Sequence, residues 1–178
     1  MRVLIVRLTS MGDVIHALPA VTDAVNALPN CRFDWVVEGA FSEIPTWHAA
    51  VDRVVPVALR RWRKNFWQSR NPIKQAYSEL REQQYDLVID AQGLIKSAVL
   101  SRIAKGDVSG FDAHSLREPL ASRLYQTQHA VSRQRHAIER VRDLFAESLA
   151  YTRPESVADY GIDPVSYTHL TLPTKRIV

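Results

Sequence analysis

Asp13 is the residue best placed in the amino-acid sequence to take part in proton transfer. It follows a short apolar segment, 2–7, and a turn of small residues that contains Thr9, Ser10 and Gly12. Ligands of open α/β sheets bind beyond the carboxyl ends of the strands, so a site is expected at such a turn. A helix N-terminus favours an ionised carboxylate, which suits a general base, and the glycine would let a hydroxyl approach the backbone closely.

The same residues also have a purely structural explanation. Ser10 and Asp13 are three residues apart, which is the spacing of a capping box in the first turn of a helix. The turn contains one glycine and lacks Gly-Lys-Ser/Thr, which excludes a dinucleotide fingerprint and a Walker loop. The spacing by itself leaves the catalytic and the capping interpretation open.

Positive charge is concentrated in the segment from Arg53 to Lys74. This segment contains seven Lys and Arg residues, both ends included, and no Asp or Glu. The centre of this segment is a run of four basic residues, Arg60, Arg61, Arg63 and Lys64. Arginine suits a bidentate grip on carboxylates and phosphates. Trp62, Phe66 and Trp67 are interleaved with these cations, so the segment could instead stack on single-stranded nucleic acid or lie at a membrane surface. A solvated loop without a function is a further alternative. We expect the partner of this segment to be an anion.

Polar residues follow two further segments of the chain. Gln92 and Lys96 come after an apolar run that ends at Asp90, and both could hydrogen-bond a ligand near Asp13, because neighbouring strands open into one crevice. A glycine turn with an exposed lysine would look identical without any function. Arg117 could add one more contact to an anion.

The remaining titratable residues indicate no second site. The basic residues of the helical segment 135–150 are expected on the surface: Arg135, His136, Arg140 and Arg142. The histidines show no metal-ligand spacing with one another or with Cys31, so no metal is expected.

Short apolar segments alternate with helical patterns along the chain. The predicted strands are 2–7, 32–38, 53–58, 86–90 and, more weakly, 107–111. Helical periodicity spans 14–28, 73–80, 94–104 and 138–149. Pro19 requires the first helix to begin near His16 or to bend there. Strands that are apolar throughout and alternate with helices predict a doubly wound, Rossmann-like parallel α/β sheet.

Composition excludes several classes of protein. The 178 residues are 46% hydrophobic and 24% charged, with a net charge of +4, so extended disorder is excluded. A single cysteine rules out an internal disulfide and fits a reducing compartment. The sequence has no apolar run of about 20 residues, and the apolar stretch at its N-terminus is too short for the signal peptide of a secreted protein, so none is expected. We therefore expect a cytoplasmic protein.

The C-terminal residues differ from the rest. The segment 165–174, VSYTHLTLPT, resembles a translated sequencing adaptor. We expect 165–178 to be a non-native tail and 1–164 to be the N-terminal part of a longer protein. A genuine short β-hairpin is the alternative.

Six segments, taken in order, resemble the lipopolysaccharide heptosyltransferases of glycosyltransferase family 9. They are MRVLIV with TSMGDV (1–14), FDWVVE (33–38), IPTWH (44–48), RRWRK (60–64), DAQGL (90–94) and REPLAS (117–122). The RRWRK run favours the type I over the type II enzymes of this family.

The resemblance implies an inverting transferase of the GT-B class, which has two Rossmann-like domains, with the acceptor-binding domain in this chain. Such enzymes move heptose from ADP-heptose to Kdo (3-deoxy-manno-octulosonic acid) of Kdo2-lipid A, without a cofactor. Asp13 would deprotonate the Kdo hydroxyl, and the basic run would bind the anionic groups of the acceptor. Gln92, Lys96 and Arg117 would line the acceptor cleft. Thr9, Ser10 and Gly12 would bind the acceptor beside the base. Arg7 stands where lysine is expected.

The resemblance also implies limits on what this chain does. ADP-heptose would be bound mainly by a C-terminal domain, so the chain is expected to be inactive by itself. We expect a monomer at the inner face of the inner membrane, with no nucleic-acid partner. Two alternatives come from the residues, a basic α/β module that binds nucleic acid and a small flavodoxin-sized nucleotide-binding protein. A third is another ADP-heptose transferase, such as heptosyltransferase II.

Overall fold

The computed structural model describes residues 1–162, and the predicted tail at 165–178 lies outside them. The strands are β1 (Arg2–Val6), β2 (Arg32–Glu38), β3 (Val51–Val57), β4 (Leu87–Asp90), β5 (Val108–Phe111) and β6 (Thr127–His129). The α-helices are α1 (Met11–Ile15), α2 (Leu18–Ala27), α3 (Leu59–Lys64), α4 (Arg70–Glu82), α5 (Ile95–Ile103) and α6 (Ala137–Leu149). Short 3-10 turns occupy Gly39–Phe41, Ile44–Trp47, Trp67–Ser69 and Pro119–Leu124.

The strands form a single parallel sheet in the order β3-β2-β1-β4-β5-β6. This confirms the predicted doubly wound α/β fold. The order reverses between β1 and β4, where Val6 pairs with both Val36 and Asp90. The strands β1 and β4 therefore end level, β2 runs two residues farther, and a crevice opens at the reversal point.

Burial explains which strands the sequence predicts. Val3, Leu4, Ile5 and Val6 of β1 are fully buried, as expected for a central strand that is covered by helices on both faces. The strand β6 was not predicted, because its three residues are polar and mostly exposed. This edge strand joins the sheet by pairing its backbone with β5, and it carries no apolar pattern.

Pro19 is accommodated by a break in the helical segment. The helix α1 ends at Ile15, and α2 begins anew at Leu18, so Pro19 lies in the first helical turn. A proline costs little there, since the amide it lacks would have no intrahelical partner.

A buried ion pair joins α2 to α6. Arg142 is 1% exposed, and its Nε donates to Asp23 Oδ2 at 2.6 Å. The expectation of a surface position for Arg142 was therefore wrong. Its partner lies 119 residues away in the sequence, which no local pattern reveals.

The side chain of Asp90 organises the turn after β4. Its Oδ1 accepts hydrogen bonds from the amides of Gln92 (2.9 Å) and Gly93 (3.0 Å). Its Oδ2 accepts from the hydroxyls of Ser97 (2.9 Å) and Tyr125 (2.8 Å). Complete burial raises the pKa of Asp90, and these donors offset the effect in part. The carboxyl group thus links β4, α5 and the segment before β6.

Removing one of these donors should destabilise the fold. Tyr125→Phe leaves an acceptor site of Asp90 unpaired inside the protein, and we expect the free energy of unfolding to fall by about 1–3 kcal/mol. Tyr77→Phe is the matched control, because Tyr77 is half exposed, and it should change stability by less than about 0.5 kcal/mol. Urea unfolding followed by circular dichroism measures both. Equal stability of the two variants would contradict this role of Asp90.

Candidate active site

Asp13 lies in the first turn of α1, at the carboxyl end of β1. Its Oδ2 accepts hydrogen bonds from the amide (2.7 Å) and the hydroxyl (3.0 Å) of Ser10. Its Oδ1 is 2.9 Å from Nη2 of Arg7. The capping contact is therefore present, yet 38% of the Asp13 side chain is exposed. The carboxylate can receive a proton from a bound group while it caps the helix.

Arg7 connects Asp13 to the two strands that flank β1. Its guanidinium also donates to the carbonyl oxygen of Ala91, just after β4. Its own carbonyl oxygen accepts from the indole Nε1 of Trp35 in β2, at 3.1 Å. Arg7 itself is buried, 8% exposed. These contacts fix both the side chain and the backbone of the residue that pairs with Asp13.

The surroundings of Asp13 favour its ionised form. Partial burial raises the pKa of its carboxyl group, but the amide of Ser10, the charge of Arg7 and the hydroxyl of Ser10 together lower it below the usual value. Because the folded pKa is lowered, the interaction stabilises the fold above about pH 4 and is lost as the pH falls through the folded pKa. At neutral pH Asp13 is a carboxylate that is ready to accept a proton.

Gln92 holds the turn that carries Asp13. Its Oε1 accepts hydrogen bonds from the amides of Leu8 (2.9 Å) and Thr9 (3.1 Å). Gly93, with φ of 71°, allows the tight turn after β4, and a Cβ there would lie 2.4 Å from Leu116. The sequence placed Gln92 near Asp13 as a ligand contact, whereas its carbonyl oxygen is used to position the β1–α1 turn.

A cleft of about 420 Å³ opens beside Asp13 at the strand reversal point. Three of the predicted site residues line it: Asp13, Gln92 and Arg117. Three further arginines line it as well: Arg7, Arg133 and Arg140. Asp13 is the one carboxylate among the described residues that line the cleft. A proton acceptor is thus surrounded by four cations, which suits an anionic ligand that carries a hydroxyl group.

Arg140 was expected on the surface, and its place in the cleft corrects that expectation. Its guanidinium carbon lies 5.0 Å from the centre of the Phe111 ring, and its Nη2 donates to the carbonyl oxygen of Ser115 at 2.6 Å. Burial, followed by the charge of Arg133, lowers the pKa of Arg140. Both arginines follow β6. Recognition of that strand would have placed them at the carboxyl edge of the sheet.

The remaining predicted residues lie around the cleft or away from it. Within residues 1–162, none of the basic run of α3 lines the cleft: Arg60, Arg61, Arg63 and Lys64. The helix α3 follows β3, two strands from β1, and Arg61 lines a separate groove between α3 and α4. Lys96 is exposed in the first turn of α5 and does not line the cleft.

The small residues of the β1–α1 turn lie beside the base. Thr9 is half-buried, Ser10 is exposed, and a Cβ added at Gly12 would meet nothing within 4 Å. The space over Gly12 is open to an approaching group, as the sequence suggested, but no contact in the structure requires glycine there. No cluster of three metal-ligating residues occurs in the described part of the chain.

Comparison with known proteins places this geometry in a family. The model of glycosyltransferase family 9 (heptosyltransferase) matches residues 73–172. Lipopolysaccharide heptosyltransferase 1 of Pseudomonas aeruginosa is 58% identical over 166 residues, which are 92% of this chain and 47% of the relative. The enzyme of the same name from Escherichia coli K12 is 53% identical over 175 residues, 96% of this chain and 54% of the relative.

A solved structure shows the same likeness. The E. coli heptosyltransferase WaaC with ADP-2-deoxy-2-fluoro heptose matches with a TM-score of 0.90 and 51% identity, over 98% of this chain and 56% of that one. The chain spans about half the length of the curated relatives it matches. The family model covers more than half of the chain. The chain belongs to glycosyltransferase family 9, the heptosyltransferases.

Proposed function

We propose that this chain is the acceptor-binding half of a lipopolysaccharide heptosyltransferase of type I, with Asp13 as its general base. The observation that carries the proposal is the ionised carboxylate of Asp13 at the strand reversal point, inside a cleft lined by arginines. The relatives named heptosyltransferase 1, at 58% and 53% identity, favour type I over type II.

The proposed reaction transfers heptose from ADP-heptose to a hydroxyl group of Kdo. The acceptor oxygen forms a bond to the anomeric carbon, and its proton passes to the carboxylate of Asp13. The bond from the anomeric carbon to the diphosphate oxygen breaks, and ADP leaves with the electron pair. Attack on the face opposite the leaving group inverts the configuration at that carbon. The solved relative with an ADP-heptose analogue supports this choice of donor.

The positive charge of the chain suits the acceptor. Arg117, Arg133 and Arg140 would bind the carboxylates of Kdo in the cleft, because arginine pairs with carboxylates in a bidentate manner. The exposed basic run of α3 and Lys96 would bind the phosphates of lipid A, farther from Asp13. This chain would supply the acceptor-binding domain, and the other half of the protein would hold most of the donor. We expect the protein to work as a monomer at the inner face of the inner membrane, with no nucleic-acid partner. No helix among residues 1–162 is long and apolar enough to cross a membrane.

The proposal is tested in a chimera in which residues 1–162 replace the matching half of the E. coli relative. We expect the chimera to transfer heptose from ADP-heptose to Kdo2-lipid A. Asp13→Asn should lower kcat by about 10²- to 10⁴-fold, since the base is lost while the shape of the side chain is kept. Radiolabelled heptose incorporation measures the rate.

Asp52→Asn is the matched control for this variant. Asp52 also pairs with an arginine, Arg32, and its pKa is also lowered, but it lies outside the cleft. We expect its kcat to stay within about twofold of the parent. An Asp13→Asn chimera as active as the control would contradict the proposal. So would a parent chimera without transfer whose thermal unfolding matches that of the E. coli enzyme.

Arg7 should set the pH range over which Asp13 is a base. Arg7→Met removes the cation that lowers the pKa of Asp13, so that pKa should rise, and Arg7→Lys should hold it near the parent value. Carboxyl NMR during a pH titration measures it in the 178-residue chain. Arg32→Met, which removes the partner of Asp52, is the control and should leave Asp13 unchanged. An unaltered pKa of Asp13 in Arg7→Met would show that Ser10 alone sets it.

A further inference from the structure

Two large aromatic side chains project into solvent just after α3. Phe66 is 58% exposed and Trp67 is 77% exposed, and their rings meet edge to face at a centroid distance of 6.0 Å. We call this pair the aromatic tip. Exposed single apolar residues are ordinary, but two adjacent aromatic rings with most of their surface in water are not. Most of the surface of these two rings is not packed against the fold, so it is free to enter another apolar phase.

Cations without a carboxylate partner flank the aromatic tip in the sequence. Six basic residues occur between residues 59 and 74, without any Asp or Glu: Arg60, Arg61, Arg63, Lys64, Arg70 and Lys74. None of the six forms an ion pair with a carboxylate within residues 1–162. Arg53, at the start of the basic segment, differs, because it pairs with Asp34 and Glu82. These six cations are therefore free of direct ion pairs with the carboxylates of residues 1–162.

The aromatic tip lies at the end of the sheet where the strands terminate and the cleft opens. In the parallel register, Val57 at the end of β3 pairs with Glu38, and Val36 of β2 pairs with Val6 at the end of β1. The helix α3 begins two residues after β3 ends, and α1 begins five residues after β1 ends. A flat surface that contacts the tip would thus face the carboxyl ends of the strands, where Asp13 also lies.

We propose that the aromatic tip inserts into the headgroup region of an anionic phospholipid bilayer, with the surrounding cations on the lipid phosphates. This deepens the proposed function and rests on it, since a lipid-anchored acceptor would be presented from that surface. Tryptophan and phenylalanine favour the membrane interface, and basic residues next to them bind anionic lipids.

The geometry of Trp67 favours a bilayer over a nucleic acid. The guanidinium carbon of Arg70 lies 5.6 Å from the centre of the Trp67 ring. A nucleobase would stack on a ring face, and Arg70 covers one of the two faces of Trp67. In an interface the same arrangement is favourable, because the cation reaches the phosphates while the ring enters the apolar region.

Cosedimentation of the full 178-residue chain with vesicles tests the proposal. We expect binding to vesicles of phosphatidylglycerol and phosphatidylcholine, and about tenfold or more weaker binding to phosphatidylcholine alone. The Phe66→Ser/Trp67→Ser double variant should bind the anionic vesicles about tenfold more weakly. Brominated lipids should quench the tryptophan fluorescence of the parent more than that of the variant.

Matched variants separate the tip from general effects. Val99→Ser removes an apolar side chain that is 48% exposed from the middle of α5, and should leave binding unchanged. Arg63→Gln/Lys64→Gln should weaken binding about tenfold or more, whereas Arg102→Gln/Lys105→Gln, which changes exposed cations elsewhere, should change it less than about twofold.

Four results would overturn the membrane surface. The first two are equal binding of the double variant and the parent to anionic vesicles, and equal binding of the parent to neutral and anionic vesicles. The other two are a parent that does not bind vesicles but binds oligonucleotides through the tip, and one that does not bind vesicles but self-associates through the tip. The vesicles hold neither donor nor acceptor. Loss of the membrane surface therefore leaves the heptose-transfer test of Asp13 unaffected, and the two proposals fail separately.

Discussion

The guanidinium group of Arg7 holds the centre of the site together. It pairs with Asp13 at 2.9 Å and donates to the carbonyl oxygen of Ala91 beyond β4, while the backbone of Arg7 accepts the indole N–H of Trp35 from β2. Arg7 therefore contacts β4 and Asp13 through its guanidinium and β2 through its backbone carbonyl. A buried charge is stable only when it is well paired, so the position of Asp13 and the ends of these strands depend on each other.

A second set of contacts shapes the opposite wall of the crevice. Asp90 accepts four hydrogen bonds and so fixes the turn after β4, from which Gln92 reaches back to the amides of Leu8 and Thr9. The β1–α1 turn is thus held from its own strand by Arg7 and from the next strand by Gln92. Such support from packed and hydrogen-bonded neighbours is what keeps a functional side chain in place.

The sequence predicted the elements whose pattern is local. The continuous apolar run of β1 predicted a central strand, and the turn after it predicted the place of Asp13. The polar strand β6 carries no such pattern, and without it Arg133 and Arg140 could not be assigned to the cleft. Contacts between distant segments escaped for the same reason. The role of Gln92 depends on amides 83 and 84 residues away.

The central claim is that the acceptor binds beside Asp13, and NMR titration of the 178-residue chain with a lipid-free Kdo disaccharide tests it most directly. The account predicts that the guanidinium signals of Arg117, Arg133 and Arg140 and the carboxyl signal of Asp13 shift together and saturate with one affinity. Shifts confined to the basic run of α3, with the signals of the cleft unchanged, would contradict it.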